Sequence, residues 1–292
     1  MTRSLPLKRQ VQALLKRAGL YQRLKSSRLY DFYWSFANPQ LLTDRAKEVG
    51  FYRTTLAEFQ KGGLIFDIGA NDGYKTDVFL RLGAGVVAVE PDPTNQQVLQ
   101  QKFLDNRLVR RPVSIEGKAV SDRVATMTMW IDAPGSALNT LNAKWVDSLR
   151  NSETHAGKRL EFAGEIQVET TTLEALISRH GSPFYIKIDV EGHEPEVLRG
   201  LKCPVPYLSC EVILPEFKAE GLACIQLLNQ ITADGEFNYA VDCRRGLAFK
   251  QWMPAGEFIR AFEACSDYAI EIFWRTPERF KVQTGRVLKP AE

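Results

Sequence analysis

The chain has 292 residues and 33.0 kDa, is 45% hydrophobic and 25% charged, and so is excluded from the disordered, collagenous and coiled-coil classes. Its five cysteines form no C-x-x-C pair, and no apolar run reaches 18 residues, which argues for reduced thiols and against a spanning helix. The net charge of +3 is uneven: residues 1–30 hold eight Lys or Arg and no acid, leaving 30 basic against 35 acidic residues in a body poorly suited to broad nucleic-acid binding.

The first residues, MTRSLPLKRQ, lack the apolar core of a signal peptide, so a cytoplasmic location is expected. Leu5, Val11, Leu14, Leu15, Leu20 and Leu24 recur among basic residues at roughly helical spacing. Residues 1–27 thus read either as a helix lying on the inner face of a membrane or on a partner, or as one docked on the body. The aromatic-rich stretch 28–60 reads as helical and ends at Lys61-Gly62-Gly63. A division into an arm, 1–45, and a body, 46–292, is expected.

Within the body, strands are expected at 64–68, 86–89, 108–115 with 118–120, 126–131, 184–190, 207–213, 239–242 and 269–274. Helices are expected at 75–82, 95–104, 173–180, 195–201 and 222–234. The late aromatics Trp252, Phe258, Phe262, Phe273 and Trp274 read as core, as do Cys203 and Cys210. Such alternation predicts an α/β fold whose mostly parallel sheet carries helices on both faces. Its ligand site belongs at the carboxyl ends of the strands.

The first strand end reads Phe66-Asp67-Ile68-Gly69-Ala70-Asn71-Asp72-Gly73. Glycines there allow positive φ and close approach of backbone to a ligand. The spacing is G-x-x-x-G rather than the G-x-G-x-x-G of diphosphate sites, which disfavours a nicotinamide oxidoreductase. Asp67 precedes the first glycine and suits a cationic ligand. Glu90 ends the next strand, 23 residues later, where a carboxylate accepts ribose hydroxyls. A ribose, a positive charge and no phosphate describe S-adenosylmethionine.

FDIGANDG, VVAVEPDPTN and FYIKIDVEGHEPEVLRGL resemble the FkbM-type methyltransferases, a branch of the class I S-adenosylmethionine-dependent enzymes, over roughly residues 50–275. Gly135–Leu141 resembles the family's Ser/Thr-containing insertion. The resemblance implies a Rossmann-like fold and O-methylation of a hydroxyl on a glycan, glycolipid or secondary metabolite. It places Asp67, Gly69, Asn71 and Gly73 around the methionine part of the cofactor, Glu90 at the ribose, and Ala119, with Val120 and Ser121, along the adenine.

The second cluster, Asp189, Glu191, His193 and Glu194, follows an apolar run and is the expected catalytic group. An alcohol acceptor must lose a proton as it attacks, and His193 is the natural base by its ordinary pKa. Asp189 is placed to orient the imidazole or face the sulfonium, and Glu191 to bind the acceptor. Asp189 and Glu191 also suit Mg²⁺ or Ca²⁺, but the nearby sequence supplies no full ligand set, so no metal is expected. Glu211 ends the following strand and is read either as reaching the acceptor pocket or as an edge salt bridge. The alternatives are an N-methyltransferase on the same fold, disfavoured because no D/N-P-P-Y/F motif follows the fourth strand, and a noncatalytic binding module.

Overall fold

The computed structural model describes residues 39–104, 113–151, 162 and 164–276. The helical reading of the arm's earlier residues and the membrane contact through 1–27 lie outside the described residues. Helix α1, Pro39–Thr55, runs unbroken across the boundary expected at 45/46. It buries Glu48, Val49, Phe51 and Tyr52 against the body.

Strands β1 (Leu64–Ile68), β2 (Gly85–Val89), β3 (Val113–Glu116), β7 (Tyr185–Ile188) and β8 (Tyr207–Ile213) run parallel in the order β8-β7-β1-β2-β3. Beyond β8 lie β11 (Ala269–Arg275), β9 (Glu236–Ala240) and the short β10 (Met253–Pro254), with β11 antiparallel to both of its neighbours. Near-continuous apolar runs form the central strands because both faces of the sheet are covered. One face packs under α1 and α2 (Tyr74–Leu82), bringing Tyr52, Val78 and Phe79 onto Ile65, Val86, Tyr185 and Phe273. The opposite face meets α5 (Leu173–His180), α6 (Glu194–Arg199), α7 (Lys218–Ile231) and α8 (Ala255–Glu263), where Leu176, Val197, Leu228 and Phe262 cover Phe66, Ile186 and Cys210. Helix α3 (Pro93–Lys102) places Leu99 against Ala88 and Val113. The doubly wound, mostly parallel sheet is therefore as expected.

Three features depart from the sequence reading. The expected third strand is two: β3 belongs to the main sheet, whereas β4 (Ala119–Val120) joins β6 (Gly164–Thr171) and β5 (Thr126–Ile131) in a separate sheet. The chain turns out of the main sheet at Gly117 and Lys118. Helices α4 (Ala143–Asn151) and α8, and strand β6, were not anticipated. Cys203 is exposed rather than core, whereas Cys210 is buried as expected. Phe258, Phe262, Phe273 and Trp274 are fully buried.

No helix among the described residues is long and apolar enough to cross a membrane.

Candidate active site

The chain enters the sheet at its centre, winds outward through β2 and β3, and later returns to lay β7 on the other side of β1. Loops leaving β1 and β7 therefore diverge and leave a crevice between them. A cleft lies there, lined by Gly69, Asn71, Glu90, Ala119, Asp189, Glu191 and His193 among others. With Val120, eight of the sequence-predicted residues thus meet at one place. Asp67 and Gly73 do not line it.

The Asp67 carboxylate is buried below the loop, where it accepts from Thr76 Oγ1 at 2.6 Å. Burial pushes its pKa up, against the pull of Lys187 and the Thr76 bond. The glycines also permit close packing around the loop. A Cβ on Gly69 would stand 1.8 Å from the Asp189 carbonyl oxygen, and one on Gly73 2.6 Å from Leu99. Gly69, Asn71 and Gly73 all have left-handed φ, of 80°, 48° and 77°. The turn they form lets the Gly69 and Ala70 amides both donate to Val89 O at 3.0 Å.

That turn also aims the Asn71 amide at Glu90 Oε2, at 2.7 Å, while Asp92 N donates to Glu90 Oε1 at 2.7 Å. A carboxylate has about four lone-pair sites, so Glu90 keeps acceptor capacity toward the cleft. Burial raises its pKa to about 7, although the two backbone donors favour the charged form. A carboxylate held at the end of β2 with acceptor sites to spare fits a ribose.

Asp92 does two jobs. Its Oδ1 caps α3 at Thr94 N, at 2.7 Å. Its Oδ2 accepts from Gly135 N at 2.8 Å and Asn139 Nδ2 at 2.7 Å. The loop between β5 and α4 is thereby held over the cleft, which it lines through Ser136, Asn139 and Thr140. The loop's other end is tied to the β7 side: Thr140 Oγ1 donates to Glu191 O at 2.8 Å, and Asn142 Nδ2 donates to Gly192 O. Glu194, 4% exposed, braces the β7 loop by accepting from Val190 N and Gly192 N at 3.0 and 3.3 Å. Burial raises its pKa to about 7.

Asp189, Glu191 and Glu211 bring carboxylate oxygens within 4.8 Å of one another. Lys187, 2% exposed, donates to Asp189 Oδ2 at 2.8 Å. Burial works against charge at Asp189, but Lys187 and a hydrogen bond from Glu211 outweigh it and hold its pKa below the ordinary value. Asp189 and burial in turn push Glu211 up to about 9. Burial, then Asp189 and Glu211, raise Glu191 well above its usual range. Of the three carboxyls in this corner, Asp189 is thus the one that favours its charge, while Glu191 and Glu211 favour the proton-bound form. The trio also completes the three-oxygen group that the local sequence did not supply for a divalent ion.

His193 stands apart from this trio. Its Nε2 lies 3.0 Å from Ser121 Oγ, and its Nδ1 lies 3.8 Å from Glu196 Oε2. Asp189 therefore does not orient the imidazole; Lys187 and Glu211 are its partners. His193 occupies the N-cap of α6 without a side-chain cap bond. Burial lowers its pKa, which leaves the ring neutral at pH 7.

Residues 67–221 match the family model described as the methyltransferase FkbM domain. The chain belongs to this family. Membership of the FkbM family implies S-adenosylmethionine as the cofactor, and the spare acceptor sites of Glu90 are consistent with it. Among solved structures, methyltransferase FkbM from Methylobacillus flagellatus KT is 15% identical, with a TM-score of 0.45, over 76% of this chain and 46% of that chain. The chain thus spans about half the length of that protein. A TehB-like SAM-dependent methyltransferase from Corynebacterium glutamicum is 10% identical over 79% and 88% of the two chains, with a TM-score of 0.39. A SAM-dependent O-methyltransferase from Thermotoga maritima is 12% identical over 79% and 64%, with a TM-score of 0.37. No curated protein matches the sequence.

Asp92, Asn139 and Lys187 were missed as site residues by the sequence reading. Lys187 left a legible signal, a single cation inside the apolar run FYIKI. Asp92 left only a helix-cap signal before Pro93, and nothing local pairs it with Asn139, 47 positions away.

Proposed function

We propose that this FkbM-family protein transfers a methyl group from S-adenosylmethionine to a hydroxyl of a glycan, glycolipid or secondary metabolite. The observation that carries the reading is the opening of Glu90 and of Asp189 and Glu191 onto one cleft at the strand ends. When bound, the cofactor supplies an electrophilic methyl carbon, whose bond to sulfur breaks as a bond to the acceptor oxygen forms, leaving S-adenosylhomocysteine.

In this reading Glu90 accepts from the ribose hydroxyls. Gly69 and Asn71 border the methionine part, and Ala119 borders the adenine. Asp67 and Gly73 act indirectly, by fixing the turn. Asp189, kept ionised by Lys187, supplies negative charge beside a cationic cofactor, and Glu191 binds the acceptor. The acceptor's proton leaves to a base as its oxygen attacks. His193 fits that task by being neutral and in the cleft; Asp189 fits it by standing with Glu191 and Glu211.

Two measurements test the reading. Calorimetry with S-adenosylhomocysteine is expected to give saturable binding to the wild-type protein; its absence in folded protein overturns the proposal. Methyl-labelled cofactor with extracts of glycans, lipids and metabolites is expected to yield a labelled ether. A labelled amine would replace O-methylation by N-methylation. Loss of turnover on chelation, restored by Mg²⁺, would assign the carboxylate trio to a cation.

A further inference from the structure

Alternate residues of a strand point to the same face of a sheet. On the face under α1 and α2 this rule lines up Asp67 of β1, Lys187 of β7, Ser209 and Glu211 of β8, and Glu271 of β11. Lys187 is in register with Asp67 on one side and with Ser209 on the other. An ammonium buried there keeps its proton only among opposite charges, because removal from water favours the neutral amine. Asp189 provides one such charge, at 2.8 Å. Burial works against the Lys187 charge, but Asp189, then Glu271, Glu211 and Asp67 outweigh it and hold its pKa well above the ordinary value.

These four carboxyls are not equivalent. Burial raises Asp67, and Asp189 together with burial raises Glu211 to about 9, so both are weak counter-charges. Glu271 differs because donors surround it. Its side chain is only 11% exposed. Its Oε1 accepts from Ser209 Oγ at 2.5 Å, Tyr185 OH at 3.3 Å and Tyr52 OH at 3.5 Å. Its Oε2 accepts from Cys243 Sγ at 3.2 Å and stands 3.9 Å from Lys75 Nζ. Burial pushes the Glu271 pKa up, but Lys75, Lys187 and the Ser209 and Cys243 bonds bring it below the ordinary value. Glu271 is therefore the second fixed negative charge near Lys187, and it does not line the cleft.

Building on the reading that seats the sulfonium beside Asp189, we propose that Glu271 is a positioning residue for methyl transfer: with Ser209 it keeps the Lys187 ammonium charged and in place, and Lys187 holds the Asp189 carboxylate ionised at the cleft. Glu271 touches neither cofactor nor acceptor and acts through Lys187. Without its charge, Asp189 alone opposes the desolvation of the ammonium. A proton then passes from Lys187 Nζ to Asp189 Oδ2, leaving a neutral pair. The cleft loses the charge that distinguishes a sulfonium from a neutral thioether. A Glu271 that only braced the fold would leave that distinction intact.

S-adenosylmethionine and S-adenosylhomocysteine differ by a methyl group and a positive charge, so the ratio of their Kd values reports negative charge at the sulfur. Calorimetry on the full-length protein measures both. Glu271→Gln is expected to raise the Kd of S-adenosylmethionine relative to that of S-adenosylhomocysteine roughly 3- to 30-fold, the scale of a unit charge in a partly screened site. Glu271→Asp keeps the charge and is expected to restore most of the ratio. Asp189→Asn is expected to raise the ratio at least as much, and Glu271→Gln added to it is expected to change it little further, since the two act in series. A folded Glu271→Gln protein with the wild-type ratio, an equal loss of both ligands, or additive effects in the double variant overturns the inference. Thermal unfolding reports whether each variant is folded. Should Glu271→Gln fail to fold, Ser209→Ala removes the 2.5 Å bond to Glu271 without changing charge and is expected to raise the ratio in the same direction; an unchanged ratio there overturns the inference. Absence of S-adenosylhomocysteine binding to wild type removes the methyltransferase reading itself. A ratio that responds to Asp189→Asn but not to the Glu271 or Ser209 variants removes only the role of Glu271, and one that ignores Asp189→Asn removes the seat of the sulfonium and this inference with it.

Discussion

In the proposed reading Glu90 is the residue that accepts from the ribose hydroxyls. Replacing it by Ala removes a charged acceptor and is expected to weaken S-adenosylhomocysteine binding by about 1–3 kcal/mol in calorimetry. The same burial that shapes this site has a cost in stability. Glu90 and Glu194 are raised to about 7 and Glu211 to about 9, so the folded protein holds these protons more tightly than the unfolded chain. Their contribution to stability is full below about pH 4.5 and is lost as pH rises through 7 and then 9. The thermal midpoint of the ligand-free protein is expected to fall across that window. Glu211→Gln keeps a neutral donor facing Asp189 and is expected to flatten the upper part of the fall; an unchanged profile would contradict the shared-proton picture. For catalysis, His193→Ala and Asp189→Asn separate the two candidate bases. General-base assistance is worth about 10²–10⁴-fold in rate. The base's variant is expected to lose kcat on that scale together with the acidic limb of the pH–rate profile, with cofactor affinity kept in His193→Ala.

At the scale of elements, the site depends on how closely the loops after β1 and β7 approach each other. Gly69→Ala would combine a left-handed φ of 80° with a Cβ placed 1.8 Å from the Asp189 carbonyl oxygen. A loss of about 2–4 kcal/mol in denaturant unfolding is expected, from overpacking and the left-handed penalty together. Gly62→Ala provides the comparison, since φ there is +91° but nothing lies within 4 Å, and about 1–2 kcal/mol is expected. This contact also marks the limit of what the sequence conveys. The pattern FDIGANDG announces a strand, a turn and a helix, because apolar runs and glycines are local signals. The partner of Gly69 is a backbone oxygen 120 positions away, and local pattern carries no record of it. Lys118–Val120 illustrates the same limit, since it reads as strand together with 108–115 but does not reveal which sheet it joins. His193 and Asp189 were recognised as polar groups near one strand end, yet Ser121 and Lys187 decide their orientation.

At the scale of the whole molecule, charge is divided between a basic leading segment and an acidic body. We propose that residues 1–27 hold the protein near anionic membrane, where each Lys or Arg adds about 1 kcal/mol at low salt. Co-sedimentation with anionic liposomes is expected to be lost on deleting these residues, and equal partitioning of the two proteins would count against it. Within the body, the loop between β5 and α4 joins regions that are far apart in the chain: Asp92 grips one end of it, and the carbonyls of Glu191 and Gly192 grip the other. Because this loop lines the cleft, it is expected to act on the timing of events as well as on affinity. With the cofactor seated as proposed, a nucleoside at the ribose end lies beside a segment clamped at both margins, and its residence time is expected to depend on how often the clamp opens. Asp92→Asn preserves an oxygen to cap α3 but turns an amide toward the Gly135 and Asn139 donors. Stopped-flow dissociation of S-adenosylhomocysteine is expected to be faster in this variant than in wild type, with an association rate changed far less. If product release limits turnover, the variant also cycles faster at saturating substrate.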